Sequence, residues 1–325
     1  MRLALALLTL TALMFIASLT IGYTPAAMGQ SLTALLSGDG PLGLVMQEIR
    51  LPRAILGLMV GASLGLSGAA MQGYLRNPLA EPGIIGVSAA SALGAVLALQ
   101  TGFAAGFALG LPLAALAGAL AAVLLILMLA GPRGSSLTLI LAGIAISALA
   151  TALTSLVLNL SPNPFAASEI VFWMLGSLDD RSFSHVWIAL PFTLAGWLAL
   201  SSLGRGLDAL TLGEDAAAAM GIRMARLRLI LILGVAACVG ASTAVAGAIG
   251  FVGLVVPHIL RRFVAARPSQ LLWASALGGA VLVMAADIAV RLIFPEKDLK
   301  LGVIMALIGA PLFLHLIYRT REEIA

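Results

Sequence analysis

Residues able to do chemistry are scarce in this chain of 325 residues, of which 61% are hydrophobic and 10% charged. Gly65-Leu66-Ser67-Gly68 copies the Gly-x-Ser-Gly setting of a membrane-embedded serine nucleophile, and His258 is a histidine that could act as its base. With 35 glycines in the chain such a match is expected by accident. No Gly-x-x-x-x-Gly-Lys-Ser/Thr occurs, so the chain has no phosphate loop with which to bind ATP itself. His-Glu-x-x-His is absent, and the one cysteine, Cys238, supports neither a metal site nor an internal disulfide. No residue is therefore assigned to catalysis, to metal binding or to a cofactor held by this chain.

The charged residues are more informative. A charge at bilayer depth costs about 2.5 to 3.5 kcal/mol on the insertion scale, so each needs an account. Asp287 and Arg291 stand four apart, the spacing of an ion pair on one helix face, and neutralise each other there. The rival reading is a gradient-driven secondary transporter with Asp287 as its coupling carboxylate. Arg50-Leu51-Pro52-Arg53 offers two guanidinium forks suited to the carboxylates of a partner, or else anchors a helix at the membrane interface. Between two long apolar segments, residues 211–228 combine Thr211 and Glu214 in capping-box spacing with Gly221 as a stop, predicting a short helix, a break and a basic helix. Alone, that stretch also fits a basic loop on the cytoplasmic side.

These residues must be positioned by membrane helices. Soluble domains carry roughly 25% charged residues, far above this chain. Windows long enough to cross the hydrocarbon core fall at approximately 3–22, 54–73, 84–100, 109–130, 136–158, 184–203, 228–248, 250–263, 272–293 and 301–318. The 250–263 window is the weakest, being short and holding Pro257 and His258. Ten spans put both termini on one side. With that side cytoplasmic, 12 of the 18 Lys and Arg residues lie inside, the expected bias. The first apolar run is longer than a signal-peptide core and reads as a retained helix. An amphipathic helix is expected over 169–178 in the outer loop, after the breaker Ser161-Pro162-Asn163-Pro164. Gly61 and Gly65 form a Gly-x-x-x-Gly pair, of little weight in so glycine-rich a sequence. The net charge of +4 lies in loops and reports orientation, with no basic domain for nucleic acid. The chain reads as one all-α transmembrane domain over 1–325.

Several longer motifs in one order then carry a resemblance. Arg50-Leu51-Pro52-Arg53, Ser67-Gly68-Ala69-Ala70-Met71-Gln72, and Asn77-Pro78-Leu79-Ala80-Glu81-Pro82-Gly83-Ile84-Ile85-Gly86-Val87-Ser88 are followed by the run from Ala246 to His258. Ala286-Asp287 with Arg291, Leu301-Gly302-Val303 and Ile308-Gly309-Ala310-Pro311 complete the set. Together they resemble the FecCD permeases, membrane subunits of type II ABC importers for iron-siderophores, haem and cobalamin, with the cobalamin permease the nearest in sequence. The resemblance implies the type II importer permease fold of ten helices in the cell (inner) membrane. It also implies pairing with a second copy of the chain, two ATPase subunits that carry ATP and Mg, a periplasmic substrate-binding protein and a metal-chelate substrate. It places Arg50, Arg53 and Arg291 at positions that receive carboxylates of the binding protein. Thr211, Glu214, Asp215, Ala216, Ala217, Gly221 and Arg223 fall on the ATPase-coupling segment, and Ser135, Ser136 and Leu137 on the cytoplasmic gate. It treats His258 as a signature residue, not a haem ligand.

Overall fold

Hydrocarbon cannot hydrogen-bond a backbone, so apolar runs of this length must satisfy their amides and carbonyls within helices. A computed structural model of the chain describes residues 2–22, 27–107, 109–131, 136–161, 164–293 and 299–324, and among them every regular element is helical. The first half runs α1 (Arg2–Thr20), α2 (Met28–Ser37), α3 (Gly40–Leu44), α4 (Leu51–Leu75), α5 (Val87–Gln100), α6 (Phe103–Gly106), α7 (Gly110–Ala130) and α8 (Ser136–Asn159). The second half runs α9 (Pro164–Met174), α10 (Phe183–Ser202), α11 (Gly204–Leu210), α12 (Glu214–Ala219), α13 (Met224–Ala246), α14 (Val252–Arg261), α15 (Pro268–Ile293) and α16 (Leu301–Ile324). Seven of these are long and apolar enough to cross a membrane unaided, and α5 and the Leu301–His315 part of α16 are shorter apolar helices. With α14 they account for the ten expected windows.

At the centre stands α4, buried over almost its whole length and packed on α15, α13, α14 and α10. The α4–α15 contact is the most extensive in the molecule because glycine lets the two backbones meet. A Cβ added at Gly61 would strike Gly279 O, one at Gly65 would strike Ser275 O, and one at Gly279 would strike Gly61 O. The Gly61–Gly65 pair, weak as a motif, is thus a packing face. Gly68 makes a similar approach to Gly253 O on α14, which accounts for the glycines around the buried Ser67 by packing, without a nucleophile. Around this core α1, α7, α8 and α10 are mostly unburied and turn leucines outward, among them Leu120 and Leu198, as lipid-facing helices do.

Three elements depart from the sequence expectation. In the connection after α1, where no helix was foreseen, α2 and α3 fold, and a π-helical turn over Val45–Arg50 joins α3 to α4. The outer helix α9 begins at Pro164 and ends at Met174, earlier than the expected 169–178. Gly176 takes φ +74 there and the Ser177 amide turns to donate to Ala246 O at 2.8 Å. The 250–263 window holds a helix of 10 residues, about 15 Å at ~1.5 Å per residue and half the hydrocarbon core. Non-helical residues 247–250, with Gly247 at φ +72, and a short 3-10 turn over Arg262–Val264 supply the rest of its path. Non-helical backbone at that depth is tolerated where protein buries it or a cavity wets it, and here Trp173 and Gly176 close on Gly247 while Glu81 takes the Phe251 amide.

Candidate functional site

Two clusters of polar side chains stand at opposite ends of the bundle. At the outer end the carbonyls of the last turn of α1 have no partner within their helix, and the negative end of the helix dipole points there. Two guanidinium groups cap them. Arg50 Nη1 donates to Leu19 O and Thr20 O at 3.2 and 3.1 Å. Arg291 Nη1 donates to Ser18 O and Ile21 O at 2.9 and 2.6 Å, and its Nη2 to Ser18 Oγ at 2.8 Å. Arg291 Nη2 also reaches Asp287 Oδ2 at 2.7 Å, forming the expected i, i+4 pair. From α4, Arg53 donates through Nε and Nη2 to Asp287 Oδ1 at 3.0 and 2.7 Å, and its Nη1 pairs with Asp179. Asp179 accepts from Ser177 Oγ at 3.0 Å, which ties the outer loop to the same network.

Each oxygen of Asp287 is therefore held by arginine, and Arg50, Arg53 and Arg291 are at most 6% exposed. In this conformation the three forks face inward, because burying them requires internal carboxylates and carbonyls. They join α1, α4, α15 and the 177–179 loop. Asp287 has no open coordination of the sort a coupling carboxylate needs. Asp179 was not singled out in the sequence; only its place after a glycine turn hints at a fixed role.

The inner end is built differently. The expected capping box does not form: Thr211 closes α11, and its Oγ1 donates to Asp208 O at 2.7 Å instead of starting the next helix. Gly213, at φ +107, opens α12 in a conformation that side chains rarely adopt. At the other end Gly221 takes φ +86, with its amide donating to Ala218 O at 2.9 Å and the Ile222 amide to Ala217 O at 3.0 Å. Those two bonds make a Schellman close, as the glycine stop predicted. Ala217 is buried, whereas Glu214, Asp215 and Arg223 are exposed and Ala216 half-buried. Flanking them, Leu212 and Met220 are 71% and 53% exposed, an apolar patch beside charges on a bend. Ser136 Oγ, at the start of α8, donates to Glu214 Oε1 at 3.4 Å, and Leu137 is exposed. Ser135 lies outside the described residues.

Three polar contacts were not foreseen from sequence. Asp208 accepts from the Ser269 amide, the Ser269 hydroxyl and Arg267 Nε at 2.8, 2.7 and 3.0 Å, holding the start of α15. Partial burial works against its charge, but the Ser269 and Arg267 bonds outweigh this and keep its carboxyl below the usual range. Glu81 Oε1 accepts the Phe251 amide at 2.8 Å, capping α14 where Phe251 sits at φ +67. Gln72 Nε2 donates to Leu254 O at 3.3 Å while its Oε1 accepts from Arg261 Nη2 at 3.3 Å. Glu81 and Gln72 both stand inside the long motifs, and a polar residue within so apolar a setting was their one signal. Among the described residues no cluster of three metal-ligating side chains occurs.

Comparison with known proteins agrees with this architecture. The family model described as the FecCD transport family matches residues 10–319. A vitamin B12 import system permease protein of Klebsiella pneumoniae, BtuC, is 37% identical over 287 residues, 88% of this chain and 85% of its own. The ferric enterobactin transport system permease protein FepD of Escherichia coli is 39% identical over 281 residues, 85% and 82% of the two chains. A solved structure of a protein assigned as a metal-chelate type ABC transporter, in an inward-facing conformation, superposes with a TM-score of 0.86 at 34% identity over 98% of this chain and 99% of the other.

Proposed function

The chain belongs to the FecCD transport family and is the transmembrane permease subunit of an ABC importer, not an enzyme, and we propose that it works as a pair with two ATPase subunits and a substrate-binding protein. The observation that carries this reading is the exposed bend at the inner end, where Leu212, Met220 and α12 project from a helix pair closed by glycines. Exposed apolar side chains beside charges on a rigid bend fit docking into a cleft. Thr211, Glu214, Asp215, Ala216, Ala217, Gly221 and Arg223 then form the contact through which ATP and Mg bound to the ATPase drive motion here. We assign Ser135, Ser136 and Leu137 to the cytoplasmic gate, and the Ser136–Glu214 bond supports a gate that follows α12.

The cargo we assign is the class of large metal chelates, iron-siderophore, haem or cobalamin. Relatives named for vitamin B12 and for ferric enterobactin are almost equally similar, so identity does not separate these chelates. At the outer end, Arg50, Arg53 and Arg291 serve docking by holding the loops that meet the binding protein, and direct contact requires a guanidinium to leave its internal partner. The chain sits in the cell (inner) membrane with both termini cytoplasmic, the side favoured by the loop charge.

Reconstitution tests this. The chain with its ATPase and binding protein in vesicles should take up chelate only when ATP is supplied, and the chain alone should hydrolyse none. Uptake by the chain alone, driven by an imposed proton or sodium gradient, would restore the secondary-transporter reading.

A further inference from the structure

A groove runs along the lipid-facing side of the bundle between α7 and α13. At its basic end a cavity of about 430 Å³ lies between Leu127 and Ala130 of α7 and Arg226, Arg228 and Ile232 of α13. Directly above it, a second cavity of about 280 Å³ is lined by Leu120 and Val123 of α7, Phe192 of α10, and Leu233 and Ala237 of α13. The two adjoin: Ile232 and Leu233 are consecutive on α13, and Val123 and Leu127 lie one turn apart on α7. From Leu116 to Ala130 the groove follows α7 for about 21 Å at ~1.5 Å per residue, against about 15 Å for half of a hydrocarbon core. It is therefore long enough for one acyl chain and the headgroup above it.

Charge sits at one end only. Among the described residues no acidic side chain lines either cavity, and those around the upper one are all apolar. Arg228 is 8% exposed, and its Nε donates to Tyr74 Oη on the core helix α4 at 2.9 Å, which fixes the guanidinium plane. Arg226 beside it is exposed. The flanks, Leu124, Met128 and Leu229, are also exposed, so the groove opens sideways into hydrocarbon and not into water.

We propose that this groove binds one anionic phospholipid, its phosphodiester at Arg226 and Arg228 and an acyl chain in the cavity lined by Phe192 and Ala237. Basic pockets between membrane helices recognise phosphate headgroups through this pairing, and the apolar channel selects a lipid over a free anion. Binding would tie α7 to α13, and α13 is the helix that follows α12 and the Gly221 bend, so the lipid would stiffen the support of the inner-face bend.

The test uses the full chain, purified in detergent and stripped of lipid, and reads thermal unfolding against added ligand; transport plays no part in it. Dioleoyl phosphatidylglycerol should raise the unfolding temperature saturably, dioleoyl phosphatidylcholine should raise it much less, and inorganic phosphate should not raise it. Arg226→Gln removes an exposed charge without touching the core and should weaken the phosphatidylglycerol response about fivefold in apparent affinity. Ala237→Phe, which fills the upper cavity, should weaken it while leaving the lipid-free unfolding temperature close to wild type. Equal responses to the two lipids would overturn the proposal. So would a response to inorganic phosphate matching that to phosphatidylglycerol, or an unchanged phosphatidylglycerol response in Arg226→Gln.

Discussion

The outer and inner ends of this molecule handle charge in opposite ways. Outside, three arginines and two aspartates are drawn into the bundle and bonded to one another and to the end of α1. Inside, Glu214, Asp215 and Arg223 remain exposed on a bend beside Leu212 and Met220. A buried ion is tolerated only with its partners, so the outer cluster is a structural joint whose members depend on one another. An exposed charge next to an exposed apolar side chain contributes little within the subunit and is free to contribute to a complex. Removing a residue outside should therefore cost folding, and removing one inside should cost coupling.

The largest effect should come from Asp287→Ala, which leaves Arg291 buried without a carboxylate and Arg53 with Asp179 alone. Breaking a buried pair costs about 3 to 5 kcal/mol, so folded yield and thermal stability should fall sharply. A well-folded Asp287→Ala protein lacking only transport would mean that Asp287 is a functional carboxylate and not part of a joint.

Next, Arg50→Gln should lower the unfolding temperature by nearly the same amount at low and high salt, because its bonds to Leu19 O and Thr20 O are to neutral carbonyls, which screening affects weakly. If the variant instead keeps its stability and loses binding-protein affinity with a reduced salt slope, the guanidinium does turn outward and the contrast between the two ends fails there.

Gly221→Val sharpens the inner half of the comparison. A branched side chain at φ +86 costs about 1 to 2 kcal/mol locally, too little to prevent membrane insertion. The expected outcome is normal yield with transport uncoupled from ATP hydrolysis, read as ATPase activity that ligand-loaded binding protein no longer stimulates. Leu212→Ser, at an exposed position, should leave stability within about 0.5 kcal/mol and weaken recovery of the ATPase with the permease. Equal recovery of the ATPase with wild type and variant would remove Leu212 from the contact.

The smallest effect concerns pH. Asp208 has its carboxyl held below the ordinary value, so the stability it contributes is fully present above about pH 4 and disappears as pH falls through its folded value. The acid limb of the unfolding-temperature profile should be shallower in Asp208→Asn, with no difference in slope between pH 6 and 8. A difference appearing in that neutral range would point to another titrating group.

Much of the fold was legible in the sequence because hydrocarbon imposes one rule on every residue: an apolar run near 20 residues long becomes a helix. Hence α7, α8, α10 and α13 fall within a few residues of their expected windows. The Asp287–Arg291 pair and the Gly221 break were likewise readable, since each depends on neighbours within one helical turn or on a single backbone angle. The capping box at Thr211 and Glu214 was misleading for a related reason: the same hydroxyl can close one helix or open the next, and only the path of α11 decides.

Where charged side chains turn is a different kind of fact. Arg50 and Arg53 read as forks for a partner or as interfacial anchors because a linear chain shows two arginines at a membrane boundary, whereas the carbonyls of α1 and the carboxylates of Asp179 and Asp287 that receive them are separated by up to 234 positions. The same holds for Glu81 at the start of α14 and for Tyr74 against Arg228, pairs 170 and 154 residues apart. By itself the sequence determined that this is a helical membrane protein, roughly where its helices run, and that a glycine-broken bend projects from one end. Tertiary structure alone decided which charges are internal and which are offered, because that depends on partners brought close by packing, and no local pattern records them.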